Sequence, residues 1–237
     1  KAIVVTNLFS DQVDRYGGVQ NTLKEIRAGV KRSPESVLVL NAEEPLSASL
    51  ALKVPNRVIW YGLDSTVGTQ GNVDLADAGA CPKCGSAYTY DYHIYAHLGG
   101  FRCPKCGHRR QEADVAVTSI DQISSSGSDV TMKIQGETKK VHISLSAVYN
   151  VYNAAGAVAA SIAMGIPAEK ALASLSSVRS SFGRLETFDL NGRRVQMILV
   201  KNPAGCNQAF SYVTGLGEDF VAVLCLNNRT GDGHDFS

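Results

Sequence analysis

Two CPKC pairs, Cys81 with Cys84 and Cys103 with Cys106, constrain this chain more than any other feature. They read C-x2-C-x18-C-x2-C, the spacing of a ribbon whose two knuckles deliver four thiolates to one ion. In each CPKCG the proline and glycine suit a tight turn whose backbone amides face the sulfurs. Four thiolates leave no coordination position for water or substrate, so the ion is expected to hold structure, as Zn2+ or, alternatively, as iron of the rubredoxin kind. About thirty residues cannot close an adequate apolar core alone, which is the physical reason to build such an insertion, expected over 78–111, around a metal. The aromatic residues of "GSAYTYDYHIYAHLGGFR" are read as the cover of that small core, with stacking on nucleic-acid bases as the alternative. With the thiolate set complete, His93, His97 and His108 have no coordination role and are expected at the surface. Cys206 and Cys225 stand singly in apolar settings, a usage that fits a reducing compartment rather than a disulfide framework.

The remainder of the 237 residues reads as an ordinary globular chain, 44% hydrophobic, 19% charged and net +1. Such a balance gives no basic stripe for nucleic acid and no polybasic patch for a membrane. No apolar run reaches the roughly 18 residues of a membrane span. Lys1 leads directly into "AIVVT" without the charged and apolar regions of a leader, so the expected address is cytoplasmic. A start on a strand and a stop at the turn-rich "GDGHDFS" read as a slice of a longer protein.

Along the chain, β-branched runs alternate with helical patterns: "AIVVT", a helix near 18–32, "SVLVLN", a short helix from Pro45, then "RVIWYG". That rhythm predicts an α/β fold with a parallel sheet. "SSSGSD" at 124–129 reads as a connector, and "VTMKIQG" with "KVHISLS" as a hairpin. Residues 147–164 predict a helix with a small-residue surface, ended by Gly165 and followed by a second helix at Pro167. A further α/β unit begins near 180, with two strands about Asn191-Gly192, a helix from "VKNPAG" and a strand at "FVAVLCLN".

"TNLFSDQVDRYG" places Thr6 and Asn7 at the carboxyl end of a strand, where open α/β sheets put their ligands. Asp11 and Asp14 suit Mg2+ as oxygen donors or, equally, the cap of the next helix. No G-x-x-x-x-G-K-[ST] phosphate cradle occurs.

Taken in order, "TNLFSDQVDRYG", "VLNAEEPL", the four-cysteine insertion, "YNVYNAAGAVAA", "GRLETF", "VKNPAGCNQ" and "LNNRTGDGHDFS" resemble the MurT family, the Mur-ligase-like subunit of lipid II isoglutaminyl synthase. The resemblance implies a Mur ligase central-domain-like sheet with an inserted zinc ribbon over 1–180 and the start of a Rossmann-like C-terminal domain over 181–237. It implies ATP-dependent amidation of the D-glutamate of lipid II at the membrane surface, with Mg2+, an acyl phosphate, and ammonia from a GatD-like glutaminase partner. Asn7 and Asp11 then match the family segment near metal and phosphates. Gln12 stands where amino-acid-adding Mur ligases carry His, a departure that bears on their second metal site. Tyr149 and Asn150 match a pair whose asparagine contacts adenine, a task suited to a group that both donates and accepts, with helix capping as the alternative. Arg184 matches a nucleotide-facing arginine that Glu186 supports. Lys201 and Asn202 match residues brought over the nucleotide on domain closure, Lys201 alternatively facing solvent. Asp235, with Asp232 in reserve, matches an aspartate that orients the glutaminase histidine across the interface, the alternative being an exposed turn. Glu43 and Glu44 occupy positions where the family more often has two aspartates. The family's phosphate cradle lies upstream, so this polypeptide alone is expected to be inactive toward ATP. The alternative class is a zinc-ribbon binding module on a non-catalytic α/β scaffold.

Overall fold

A computed structural model describes residues 1–10, 17–67, 77–179, 184–217 and 219–225. Its main sheet has the order β1-β2-β3-β6-β7-β8. Strands β1 (Ala2–Val5), β2 (Val37–Asn41), β3 (Val58–Leu63) and β6 (Val115–Ser124) run parallel, and β7 (Gly127–Ile134) and β8 (Glu137–Ile143) extend the sheet antiparallel. The alternation of β2 shows why both faces are covered. Leu38 and Leu40 enter one core, while Val39 between them enters the other, as a period of two requires.

Helix α1 (Val19–Lys31) covers the first face with Val19, Leu23 and Val30, a stripe at helical spacing. Its N-cap is Gly18 at φ +84°, a conformation that an L side chain resists. Helix α3 (Val148–Ala163) covers the second face, burying Val151, Ala155, Val158 and Ala159 against β2, β3 and β6. Gly156 allows the close approach expected of its small-residue surface, because a Cβ there would stand 3.1 Å from the Tyr61 ring. A short α2 (Pro45–Ala48) follows β2, and α4 (Ala168–Ser174) follows α3.

The β7–β8 hairpin closes through Gln135 and Gly136, both at positive φ, the turn geometry that matches strand twist. The run 124–129, expected as a connector, is mostly ladder: β6 continues to Ser124 and β7 begins at Gly127, so only two serines turn. Beyond it, β9 (Arg184–Leu190) and β10 (Arg193–Ile198) form the hairpin expected at Asn191-Gly192, and α5 (Pro203–Gly215) follows. The strand expected at "FVAVLCLN" is absent from its described part, 220–225, where Val221 is 92% exposed. No described strand lies beside that stretch to complete a ladder, and apolar alternation alone does not satisfy backbone groups.

The cysteine insertion sits in the crossover between the parallel neighbours β3 and β6. Its hairpin, β4 (Thr89–Tyr95) and β5 (Leu98–Arg102), is flanked by the two knuckles, closed by the bridges Ala80 to Ala87 and Arg102 to Arg109.

Candidate functional site

Parallel strands end together at one edge, and three of them deliver polar groups there. After β1, the Thr6 carbonyl accepts from Asn41 Nδ2 at 3.2 Å and from the Tyr61 hydroxyl at 3.2 Å, which ties the half-buried Asn7 segment to β2 and β3. After β2 come Glu43 and Glu44, both fully buried. After β3 comes Asp64, whose carboxylate accepts from the Ser65 hydroxyl.

Two buried carboxylates at a sheet edge need partners, and the ribbon supplies both. Glu43 Oε1 accepts from Arg110 Nε at 2.5 Å, and Oε2 accepts from the Leu63 amide at 2.8 Å. Arg110 also donates to the Leu63 carbonyl at 3.1 Å, so one guanidinium joins the carboxylate to the end of β3. Burial pushes the Glu43 carboxyl up to about 7, against the opposing pull of Arg110 and the Leu63 amide. Tyr152 from α3 faces the same carboxylate without closing a hydrogen bond of ordinary geometry. Glu44 caps α2, its two oxygens accepting from the Leu46 and Ser47 amides at 2.8 and 2.7 Å, and His97 Nε2 lies 3.1 Å from Oε1.

The backbone approaches as closely as the side chains. Gly99 of β5 donates its amide to the Glu43 carbonyl at 3.0 Å. A methyl group on Gly99 would strike the Tyr92 carbonyl, and one on Gly62 would strike Glu43 Oε2. On the other side, Phe9 from the loop after β1 packs on His97 at 4.8 Å and on Tyr95 at 6.3 Å between ring centroids. Tyr95 in turn meets Tyr152 edge-on at 5.9 Å.

At the far end of the hairpin the four cysteine sulfurs lie within 4.8 Å of one another, with Cys81 to Cys106 at 3.6 Å and Cys84 to Cys103 at 3.4 Å. These separations are too long for disulfides and close to the about 3.8 Å between thiolates set tetrahedrally about 2.3 Å from one ion, so the set fits a closed tetrathiolate centre. Tyr88 and Phe101 pack edge-on beside it at 5.2 Å. The Tyr88 hydroxyl meets His108 Nδ1 at 2.8 Å, and burial pushes the His108 imidazole down to about 4.

Two of the histidines expected at the surface are therefore buried, His97 to 1% and His108 to 8% exposure. Each has a specific polar partner that offsets desolvation, a pairing that sequence spacing does not display. His97 and Arg110 carried no role in the sequence reading. The available signal was the Gly99-Gly100 doublet inside a strand, which marks close backbone approach, together with two acids directly after an apolar strand.

The other anticipated residues are distributed as follows. Asn150 sits in the first turn of α3, 8% exposed, donating to the Ser146 carbonyl at 2.7 Å and accepting from Asn153 Nδ2 at 3.4 Å. The N-cap of that helix, Ala147, is held at φ +76° and buried against Leu185 of β9 and Tyr212 of α5. Asn202 caps α5, its Oδ1 accepting from the Gly205 amide at 2.8 Å, and Lys201 precedes it, exposed. Arg184 opens β9 opposite Ile198, its side chain lying outside the described residues. Asp11, Asp14, Asp232 and Asp235 also lie outside them.

Three comparisons bear on this arrangement. The family model described as MurT ligase C-terminal matches residues 199–237. The chain is 29% identical over 235 residues to the lipid II isoglutaminyl synthase (glutamine-hydrolyzing) subunit MurT of Streptococcus pneumoniae, a match covering 99% of this chain and 51% of that protein. It thus spans about half the length of the curated relatives it matches. Among solved structures it resembles a pseudomurein peptide ligase type C from Methanothermus fervidus, with TM-score 0.73, 23% identity, and coverage of 87% of this chain and 40% of that one. It also resembles MurF from Acinetobacter baumannii, with TM-score 0.60, 15% identity, and coverage of 89% and 36%. The chain thus has a Mur-ligase-like α/β fold, matches the MurT ligase C-terminal model over its last residues, and is similar to MurT subunits along almost its whole length.

Proposed function

We propose that this chain forms part of the ligase subunit of a lipid II amidating enzyme, acting in peptidoglycan synthesis in the cytoplasm with a GatD-like glutaminase. The observation that carries the reading is the 99% coverage of this chain by its similarity to a protein named as the MurT subunit of lipid II isoglutaminyl synthase.

In this reading an oxygen of the D-glutamate α-carboxylate attacks the γ-phosphorus of ATP, and the bond to ADP breaks. Ammonia from the partner then attacks the carbonyl carbon of the acyl phosphate, phosphate leaves, and D-isoglutamine remains. Such chemistry asks a protein chiefly to position charged groups and exclude water. Asn7 and Asp11 belong to the segment "TNLFSDQVDRYG" that would meet metal and phosphates, where Mg2+ would supply charge neutralisation. Among the described residues Asn150 keeps one amide hydrogen and one lone pair beyond its local bonds, enough for an adenine edge. Arg184, Lys201 and Asn202 are assigned to the nucleotide side of the C-terminal unit, and Asp235 or Asp232 to orienting the glutaminase histidine. Cys81, Cys84, Cys103 and Cys106 are assigned to structural Zn2+, supported by their mutual distances. The ion would hold the knuckles together and take no part in the chemistry.

The test is to incubate the complete subunit and its glutaminase with ATP, glutamine and lipid II. ADP and an amidated stem peptide are expected in equal amounts, and absence of both overturns the reading.

A further inference from the structure

The position of the ribbon is the observation that the ligase reading does not use. A metal staple needed only for its own knuckles has no reason to send its hairpin into the carboxyl edge of the sheet. Yet His97 is 1% exposed and Leu98 is fully buried, and Leu98 belongs to the same core as Tyr61, Leu63 and Val117. Two separate segments of the edge end on the ribbon. The loop carrying Asn7 leans on it through Phe9, Glu43 is joined to it by Arg110 and by the Gly99 amide, and Glu44 meets His97.

We infer that the ribbon is the positioning device of this edge, with Arg110 and His97 as positioning residues that fix the Asn7 loop and the Glu43–Glu44 segment relative to one another. The inference rests on the ligase reading for its catalytic consequence but not for its mechanical one. Removing Arg110 takes away the one side chain that bonds both Glu43 and the Leu63 carbonyl, so the segment 41–47 loses its tie to the ribbon and to the end of β3. Because Phe9 and Glu44 both contact His97, movement of 41–47 is transmitted to residues 6–10. In an enzyme transferring a phosphoryl group, displacement of such a loop alters productive alignment more than global stability.

The experiment compares Arg110→Met, Arg110→Lys and His97→Phe in the complete subunit by amide hydrogen exchange, and in the complex with the glutaminase by steady-state ATP kinetics. Exchange at 6–10 and 41–47 is expected to rise at least tenfold in Arg110→Met, with β7 and β8 unchanged and with partial rescue in Arg110→Lys. Turnover by Arg110→Met is expected to fall at least tenfold in kcat with a smaller change in KM for ATP, again rescued in part by lysine. If Arg110→Met does not fold, His97→Phe, which keeps the ring against Phe9 and loses the Glu44 contact, carries the same readout at 41–47. Unchanged exchange in both segments overturns the inference, as does a uniform rise that includes β7 and β8. Wild-type kinetics in a variant with loosened segments overturns the catalytic consequence. A wild-type complex that forms no ADP overturns the ligase reading instead, and the exchange arm still decides the positioning role.

Discussion

The two ends of the ribbon are built on different physics. At the knuckle end, Cys81 and Cys103 are buried beside Tyr88 and Phe101 in a cluster of a few residues, and Cys84 and Cys106 are only partly covered. At the hairpin end, Leu98 joins the main core and Arg110 and His97 meet buried acids. One end lacks enough apolar area to hold itself and depends on ligand bonds. The other is tied to the sheet by contacts that involve no cysteine.

That difference is most exposed by removing the metal. Structural zinc in small modules is worth on the order of 10 kcal/mol, more than the knuckle cluster can replace. Chelation of the purified protein should therefore abolish amide protection in 81–88 and 103–109, leave β7 and β8 protected, and leave Leu98 and Gly99 partly protected through the sheet. Equal loss across the whole hairpin would show that its sheet-side end has no independent hold.

The opposite attack is Gly62→Ala, which leaves the cysteines alone and drives a methyl group into Glu43 Oε2. Overpacking joins disruption of a buried pair, so a loss of roughly 4 kcal/mol is expected, read as a fall in urea midpoint with metal content unchanged. A loss below about 1 kcal/mol would mean that the carboxylate has room to retreat.

The Glu43 carboxyl sharpens the comparison through pH. Its ordinary value of 4.5 rises to about 7 on folding, chiefly by burial, with Arg110 opposing the rise and Tyr92, Tyr152 and Asp64 nearby. Folded chains thus hold a proton that unfolded chains release. The stability from Glu43 is complete below pH 4.5 and is lost as pH rises through about 7. Between pH 5.5 and 7.5 that loss is about 2 kcal/mol, and Glu43→Gln should abolish it. Subtracting the two chains cancels the acid sensitivity of the thiolates, which both share. Parallel pH profiles would exclude Glu43 as the titrating group.

Much of this was legible in the sequence, and the division follows range. The strands β1, β2, β3 and β7 to β10, with α1, α3, the Asn191-Gly192 turn and the cysteine spacing, are signals written within twenty or so residues, and each appears in the structure, whereas β4, β5 and β6 were not read from the sequence. The helix expected from "VKNPAG" begins at Pro203, with Asn202 as its N-cap. What sequence could not show was pairing across distance. Glu43 and Arg110 are 67 residues apart and Glu44 and His97 are 53, so neither acid displays its partner locally. The same blindness sent His97 and His108 to the surface and gave residues 220–225 a strand that pairs with none of the described strands.

The smallest effect completes the contrast, because it comes from another arginine of the same ribbon. Arg102 reaches Asp91 at 3.9 Å, with side chains 57% and 71% exposed, whereas Arg110 meets an acid with no exposure at 2.5 Å. An exposed pair at that distance gains little Coulomb energy in water and is screened by salt. Arg102→Ala should shift stability by no more than about 0.5 kcal/mol, and less in high salt. It should leave exchange at 6–10 and 41–47 at the wild-type rate. If Arg102→Ala instead loosened those segments as Arg110→Met is expected to, the edge would be responding to the ribbon's overall charge. The specific joint between Arg110 and Glu43 would then lose its part in holding it.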